Sequence, residues 1–321
     1  MIWLHRFAIF VSACTLLLLA AGGMVTSTDS GLAVPDWPNT YGHFMFSFPF
    51  ERMVGGILYE HGHRMIASIV GLLTIVLAIW TWRVDARRWV RWLAVSALAA
   101  VVVQGVLGGV TVLLLLPAAV SVGHAALAQL FFCMTVSIAL FTSRGWRMPA
   151  SPLPYDAVLT RMAVGTSLLI YVQMLLGATM RHREAGMAIP DFPLAFGRLI
   201  PPFWSFDIAV HFAHRMGALV VTAAIVAMLA YVWRRHAAHR AFRRPALFMV
   251  FLVVVQVTLG SFVVLTGLQP IVNTAHLVNG ALLLAASTVL ALRSVQAPLA
   301  TGVRARRRTG QSLSEPAEAH P

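Results

Sequence analysis

"GGMVTSTDSGLAVPDWPNTYG" occupies residues 22–42, and "GATMRHREAGMAIPDFPLAFG" occupies residues 177–197, an offset of 155. Working outward, "EHGHRM" at 60–65 meets "HFAHRM" at 211–216 at an offset of 151. "QGVLGG" at 104–109 meets "QVTLGS" at 256–261, and His124 meets His276, both at 152. Separated blocks that keep nearly one offset are the mark of an internal duplication, so the chain reads as two copies of one plan.

Of the 321 residues, 59% are hydrophobic and only 11% charged, and uncharged apolar runs recur along the whole length. A water-soluble domain of this size keeps more charge on its surface, so the composition predicts an integral membrane protein. Eight candidate transmembrane helices follow: Phe7–Val25, Glu60–Trp82, Trp92–Leu115, Val122–Phe141, Val158–Met180, Asp207–Trp233, Ala246–Thr266 and Ile271–Leu292. Combined with the repeat, they predict an all-α fold of two tandem, pseudo-symmetric four-helix bundles. Residues 1–150 form the first half, 151–293 the second, and 294–321 a disordered cytoplasmic tail. An even number of helices per half makes both halves enter the membrane from one side, with the symmetry axis along its normal.

All 24 basic residues are arginine. With the N-terminus inside, 18 of them fall in inner segments, and only Arg52, Arg181, Arg183 and Arg198 fall in outer ones. This bias predicts cytoplasmic N- and C-termini in a bacterial-type inner membrane. The net charge of +13 is then a topology signal facing anionic lipid and not a nucleic-acid footprint. Cys14 and Cys133 lie inside apolar runs, and two such residues build neither a disulfide framework nor a thiolate metal site. The long segments 26–59 and 181–206 carry the "PDWP" and "PDFP" stretches, whose proline and glycine stop a helix and predict loops lying on the outer face.

The polar residues of the helices carry the chemistry. His63 opens the second candidate helix and His124 lies near the start of the fourth; His214 and His276 repeat the pattern in the sixth and eighth. Each half thus offers two imidazoles at similar depth on parallel helices, in the outer half of the membrane. That arrangement suits a haem iron clamped from both faces. Zinc is the rival metal, but it usually takes three or four protein ligands. His61 lies about 200° round the helix from His63 and cannot share its pocket. His5, His43, His182, His236, His239 and His320 read as solvated or interfacial.

Three positions before each helix-opening histidine the halves differ: Glu60 precedes His63, and His211 precedes His214. Residues three apart share a helix face. A carboxylate beside a reacting group takes protons or stabilises positive charge. The first half therefore reads as the chemical site and the second as a resident-cofactor site, unless Glu60 is only an interfacial carboxylate paired with Arg64. Arg64 and Arg215 are candidates for haem propionate contacts, or for snorkelling to the interface. Trp37 and Phe192 either cover haem edges or join an interfacial belt. Gln104 and Gln256 predict interhelical hydrogen bonds.

The E-x-x-H-R at 60–64, the H-R at 214–215, His124, His276 and the twin "SGLAVPDWP"-type loops together resemble the haem A synthase family across residues 5–293. The resemblance implies an oxidoreductase acting on a methyl group: the C8 methyl of haem O becomes the formyl of haem A through a hydroxylated intermediate, with water as oxygen source. It implies His214 and His276 as ligands of a resident haem b (iron protoporphyrin IX), His63 and His124 as ligands of the substrate haem, and Glu60 as the key acid. It also implies a haem O synthase as supplier, the cytochrome c oxidase assembly machinery as destination, and an electron acceptor of unspecified identity. Many members carry a cysteine pair in the first outer loop, around the positions of Val34 and Thr40 here; this chain has none there. Two other readings stay open: a di-haem, quinone-linked cytochrome b, which leaves Glu60 against His211 unexplained, and a haem carrier or assembly subunit. A transporter fits poorly, because the polar residues cluster away from the midplane.

Overall fold

The computed structural model describes residues 1–149 and 153–296. Eight long helices run as α1 (Ile2–Ser27), α2 (Gly56–Val84), α3 (Arg88–Leu113), α4 (Ala118–Thr142), α5 (Ala157–His182), α6 (Phe206–His236), α7 (Arg240–Leu265) and α8 (Pro270–Ser294). All eight are long and apolar enough to cross a membrane. The shortest has 25 residues, which at about 1.5 Å per residue exceeds a hydrocarbon core of about 30 Å. The chain is a multi-pass, all-helical membrane protein. One further helical turn spans Arg144–Arg147, and short 3-10 turns span Phe50–Arg52 and Ala185–Met187. The expected tail beyond residue 296 lies outside the described residues.

Every expected helix is present, and most run a turn further at one end. Where a polar cap stands just outside the apolar run, the helix starts within one residue of expectation. Asp156 accepts from the amides of Val158 and Leu159 to start α5, Ser205 from Ile208 to start α6, and Gln269 from Val272 to start α8. Each satisfies orphan donors of a first turn.

Within the first four helices, α1 packs on α2 and α4, and α3 on α2 and α4; within the last four, α5 packs on α6 and α8, and α7 on α6 and α8. Each set thus closes as a ring of four. Leu4, Val11, Val70, Leu77, Phe131 and Ile138 fill the first ring; Leu159, Ile170, Ile225, Met228, Met249 and Leu290 fill the second. Contacts of α1 and α4 with α8, and of α4 with α5, join the rings, around Phe132, Ala281 and Ala285. Leu72, Leu168, Val254 and other large side chains remain exposed on the flanks. Lipid is as apolar as they are, so close packing rather than water exclusion holds such rings together.

The two long loops lie at one end of the rings. Asp36 accepts from the amides of Tyr41 and Gly42 at 2.8 and 2.9 Å; Asp191 accepts from Phe196 and Gly197 at 2.7 and 2.8 Å. Tyr41, Gly42, Phe196 and Gly197 all have positive φ, and such turns favour an Asp side chain closing onto amides further on. Burial opposes ionisation of Asp36, but the Gly42 and Tyr41 amides and the Arg64 charge hold its carboxyl below the ordinary range. The Gly197 and Phe196 amides do the same for Asp191.

Candidate haem-binding site

Each of the four histidines of the repeat packs closely against a glycine of a neighbouring helix, with its Cε1 nearest. A Cβ added to Gly22 of α1 would lie 2.9 Å from Cε1 of His63; one on Gly177 of α5 would lie 2.9 Å from Cε1 of His214. A Cβ on Gly108 of α3 would lie 3.2 Å from Cε1 of His124, and one on Gly260 of α7 would lie 3.0 Å from Cε1 of His276. Four imidazoles are therefore held with Cε1 against a glycine at aligned positions. The glycines stand inside the quoted repeats, and their recurrence is the sequence signal for this cradle.

The rings are held, yet their nitrogens are not all satisfied. Nδ1 of His63, His124 and His276 is buried without a hydrogen-bond partner. A buried polar atom without a partner is costly and calls for a ligand. The rings of His214 and His276 lie edge to face, with centroids 6.4 Å apart and planes 66° apart. An iron between two imidazoles, about 2 Å from each nitrogen, places ring centroids about 6 Å apart. These residues fit a bis-histidine haem, and paired histidines rather than a larger cluster are what the site offers. Among the described residues no three His, Cys, Asp or Glu side chains come together to hold a metal ion.

Glutamines position the histidine helices. Gln104 donates to the carbonyl of His124 at 2.9 Å, and Nε2 of Gln256 lies 3.2 Å from Nε2 of His276. Asn279 donates to Gln256 at 2.7 Å. Gln173, which the repeat does not flag because Leu18 aligns with it, lies 3.1 Å from Nδ1 of His214 and donates to its carbonyl at 2.7 Å.

Glu60 is 3% exposed. It accepts from the amide of Val34 at 2.7 Å and pairs with Arg64 at 2.5 Å. Arg64 further donates to the carbonyls of Val34, Asp36 and Asn39. In the second half His211 receives the amide of Ile189 at 3.3 Å, and Arg215 donates to the carbonyls of Ile189 and Leu194. The two arginines singled out as propionate candidates thus direct their Nη donors at loop backbone, where they clamp the loops onto α2 and α6. His61 turns away from His63, as its helical angle requires, and contacts Thr40 at 2.8 Å. Trp37 lies flat on Gly109, next to the His124 cradle, and Phe192 lies under the Arg215 guanidinium. His236, expected to be solvated, is 7% exposed, because Asp156 lies 2.8 Å from its Nε2 and Phe242 packs on its ring.

Fold and site together define a multi-pass helical membrane protein that carries two glycine-backed histidines in each ring of helices. The model of a family described as cytochrome oxidase assembly protein matches residues 45–288, and the chain belongs to that family. Among its relatives, the heme A synthase of Symbiobacterium thermophilum is 31% identical over 274 residues, 83% of this chain and 87% of that protein. The heme A synthase of Halalkalibacterium halodurans is 28% identical over 286 residues, 85% of this chain and 92% of that protein. That of Geobacillus kaustophilus is 28% identical over 300 residues, 90% and 93% respectively.

Proposed function

We propose that this chain is a haem A synthase, oxidising the C8 methyl of haem O to a formyl group with water as the oxygen source. Family membership and the relatives' names support the activity. The observation that carries it is the set of four glycine-backed histidines, three of them with an unpartnered buried Nδ1. His214 and His276 hold a resident haem b, and His63 and His124 hold the substrate haem. A bis-histidine haem supplies one-electron redox chemistry.

Glu60 is the acidic residue of the substrate half. His211 takes the equivalent loop amide without a carboxylate. Holding the loop amide therefore does not require the charge of Glu60; that charge is paired with Arg64 at 2.5 Å, as the interfacial alternative expects, and its part in the reaction rests on its place one turn before His63. Converting a methyl to a formyl with water releases protons and electrons in equal number. A fixed negative charge one turn from His63 favours positive charge developing on the substrate and the departure of its protons. The electrons leave to a separate acceptor. Arg64 fixes the Glu60 carboxylate and the loop above it, a positioning role. The arginine bias supports cytoplasmic termini and sites in the outer half of the membrane. Haem O synthase supplies the substrate, and cytochrome c oxidase receives the product.

The near-identical cradles in both halves favour a second reading, a di-haem electron carrier. Extraction and mass analysis of pigments from protein made with and without a haem O synthase separates the two. The synthase reading expects haem B alone without it, and haem O, hydroxylated haem or haem A with it. Haem B alone in both, at two per chain, establishes the carrier.

A further inference from the structure

Arg181 lies at the loop end of α5, on the seam between the two rings. Its Nη2 donates to the carbonyl of Gly23 at 2.8 Å and to the hydroxyl of Ser27, both on α1. Its Nε is buried and has no partner. The ion pairs among the described residues do not include it, so the exposed Asp29 carboxylate nearby in sequence to Ser27 is beyond pairing distance. A guanidinium does not shed its proton in a protein. A cation withdrawn from water with only neutral partners is costly, and in a membrane protein it marks an anion's place. The aligned position in the first half is Thr26, which simply bonds its own helix at the Gly22 carbonyl.

Three contacts fix what lies beside this cation. Gly177, one turn earlier on the same face of α5, backs the His214 ring. Ser27, which Arg181 grips, is 3.2 Å from the hydroxyl of Thr274 on α8, two residues before His276. A Cβ on Gly23 would lie 3.0 Å from Thr274. The guanidinium is therefore placed at the loop end of the His214–His276 pair, next to the elements that carry both rings.

A haem has an apolar body and two propionate carboxylates on one edge, and in a membrane bundle those carboxylates belong toward the polar end. We propose that Arg181 binds a propionate carboxylate of the haem held by His214 and His276. This rests on reading that pair as a haem site. A carboxylate on the free Nε–H forms a charge-assisted hydrogen bond, the strong kind, and supplies the missing counter-charge. Arg64 is less suited, since it is paired with Glu60 and its Nη donors hold the loop. Arg215 also has a buried Nε without a partner, but both of its Nη groups are engaged by the loop, whereas the bonds of Arg181 to α1 use Nη2 alone.

The test is a redox titration of haem b in the purified full chain, made without a haem O synthase, for wild type, Arg181→Gln, Arg181→Lys and Ser27→Ala. A cation beside a haem favours the reduced state. Arg181→Gln is expected to lower the midpoint potential and to give it a pH dependence between about pH 6 and 8, where a propionate freed from its partner titrates. Arg181→Lys keeps the charge and stays near wild type. Ser27→Ala loosens the contact with α1, keeps the charge, and leaves the profile unchanged. Wild-type potential and pH profile in Arg181→Gln would overturn the proposal, as would a Ser27→Ala shift equal to that of Arg181→Gln. A shift present only when haem O is also loaded assigns the carboxylate to the substrate and overturns it too. Should Arg181→Gln fail to assemble, wild-type chain from haem-deficient cells is loaded with haem b or its dimethyl ester. The ester is expected to bind about tenfold more weakly; equal binding refutes the contact. Absence of haem b from wild type refutes the functional reading instead.

Discussion

Gly177→Ala tests the cradle with a single methyl group. The new Cβ lies 2.9 Å from Cε1 of His214, 3.5 Å from Nδ1 and 3.8 Å from Nε2. Carbon atoms pack best about 3.5–4.0 Å apart, so the ring has to retreat by roughly 0.6–1 Å. A metal–nitrogen bond tolerates only about 0.2 Å, so His214 cannot both clear the methyl and keep its bond in the same geometry. Overpacking of one methyl costs about 1–3 kcal/mol, while alanine gains about 1 kcal/mol over glycine in a helix. The helix itself is thus little destabilised, and the strain falls on the ligand. If all of it does so, haem b affinity drops roughly five- to 150-fold. Gly165→Ala on the same helix is the control, because nothing lies within 4 Å of its Cβ. Haem-to-protein ratio and the reduced b-type spectrum are read on purified protein, with thermal unfolding alongside. Gly177→Ala retaining full haem b with the spectrum of the Gly165→Ala control would refute the cradle.

Other expectations follow from the same geometry. Glu60→Gln keeps an acceptor for the Val34 amide but removes the charge, so haem b is retained and haem A output falls at least tenfold in a pigment assay; normal output would remove Glu60 from the chemistry. His214→Ala and His276→Ala abolish the low-spin b spectrum, whereas His124→Ala chiefly impairs turnover; a normal b spectrum in both of the first two would reassign the pairs. Asp156 resists ionisation through burial, but hydrogen bonds from His236, the Leu159 and Val158 amides and Tyr231 outweigh this and bring its carboxyl down to about 2. A depressed carboxyl stabilises the fold above its unfolded value near 3.8 and loses that contribution as pH falls through the folded one. Asp156→Asn should therefore lower the midpoint of thermal unfolding at neutral pH, with the gap to wild type closing between about pH 4 and 2; a pH-independent gap would refute the ionic account.

The helices were legible because each apolar run is long enough to span a bilayer and ends in proline, glycine or arginine. Their ends were less so. Pro245 read as a boundary, but α7 starts at Arg240 and carries the proline near its start, where fewer backbone bonds are lost. Arg234 and Arg235 read as beyond the sixth span, yet α6 runs through them to His236, since arginine forms helices well and reaches to polar surroundings. The histidine pairs were legible because duplication repeats them. The contacts of Glu60 with Val34 and of Arg64 with Asn39 were not, because they depend on how the loop folds back around Asp36. Arg181 was hidden for another reason: the inside-outside count placed it in an outer segment, and only the structure shows α5 continuing through it.

The two halves share glycine-backed histidines, loop turns closed by aspartate and arginine clamps, and they differ in charge. The first half adds a carboxylate, Glu60, on the helix of His63 and paired with Arg64; the second adds a guanidinium, Arg181, where the first has Thr26. The signs suit the proposed division of labour. Negative charge beside a substrate favours loss of electrons and protons from it, whereas positive charge beside a resident haem favours the reduced state and hence its acceptance of an electron. Duplication supplies two similar holders, and two substitutions at the loop end set a direction between them. Removing each charge separately, with Glu60→Gln in one variant and Arg181→Gln in another, should therefore impair different half-reactions. The first slows substrate oxidation with haem b reduction by an added donor intact, and the second lowers the haem b potential with substrate binding intact. Identical defects from both would mean that the charges serve only to assemble the fold.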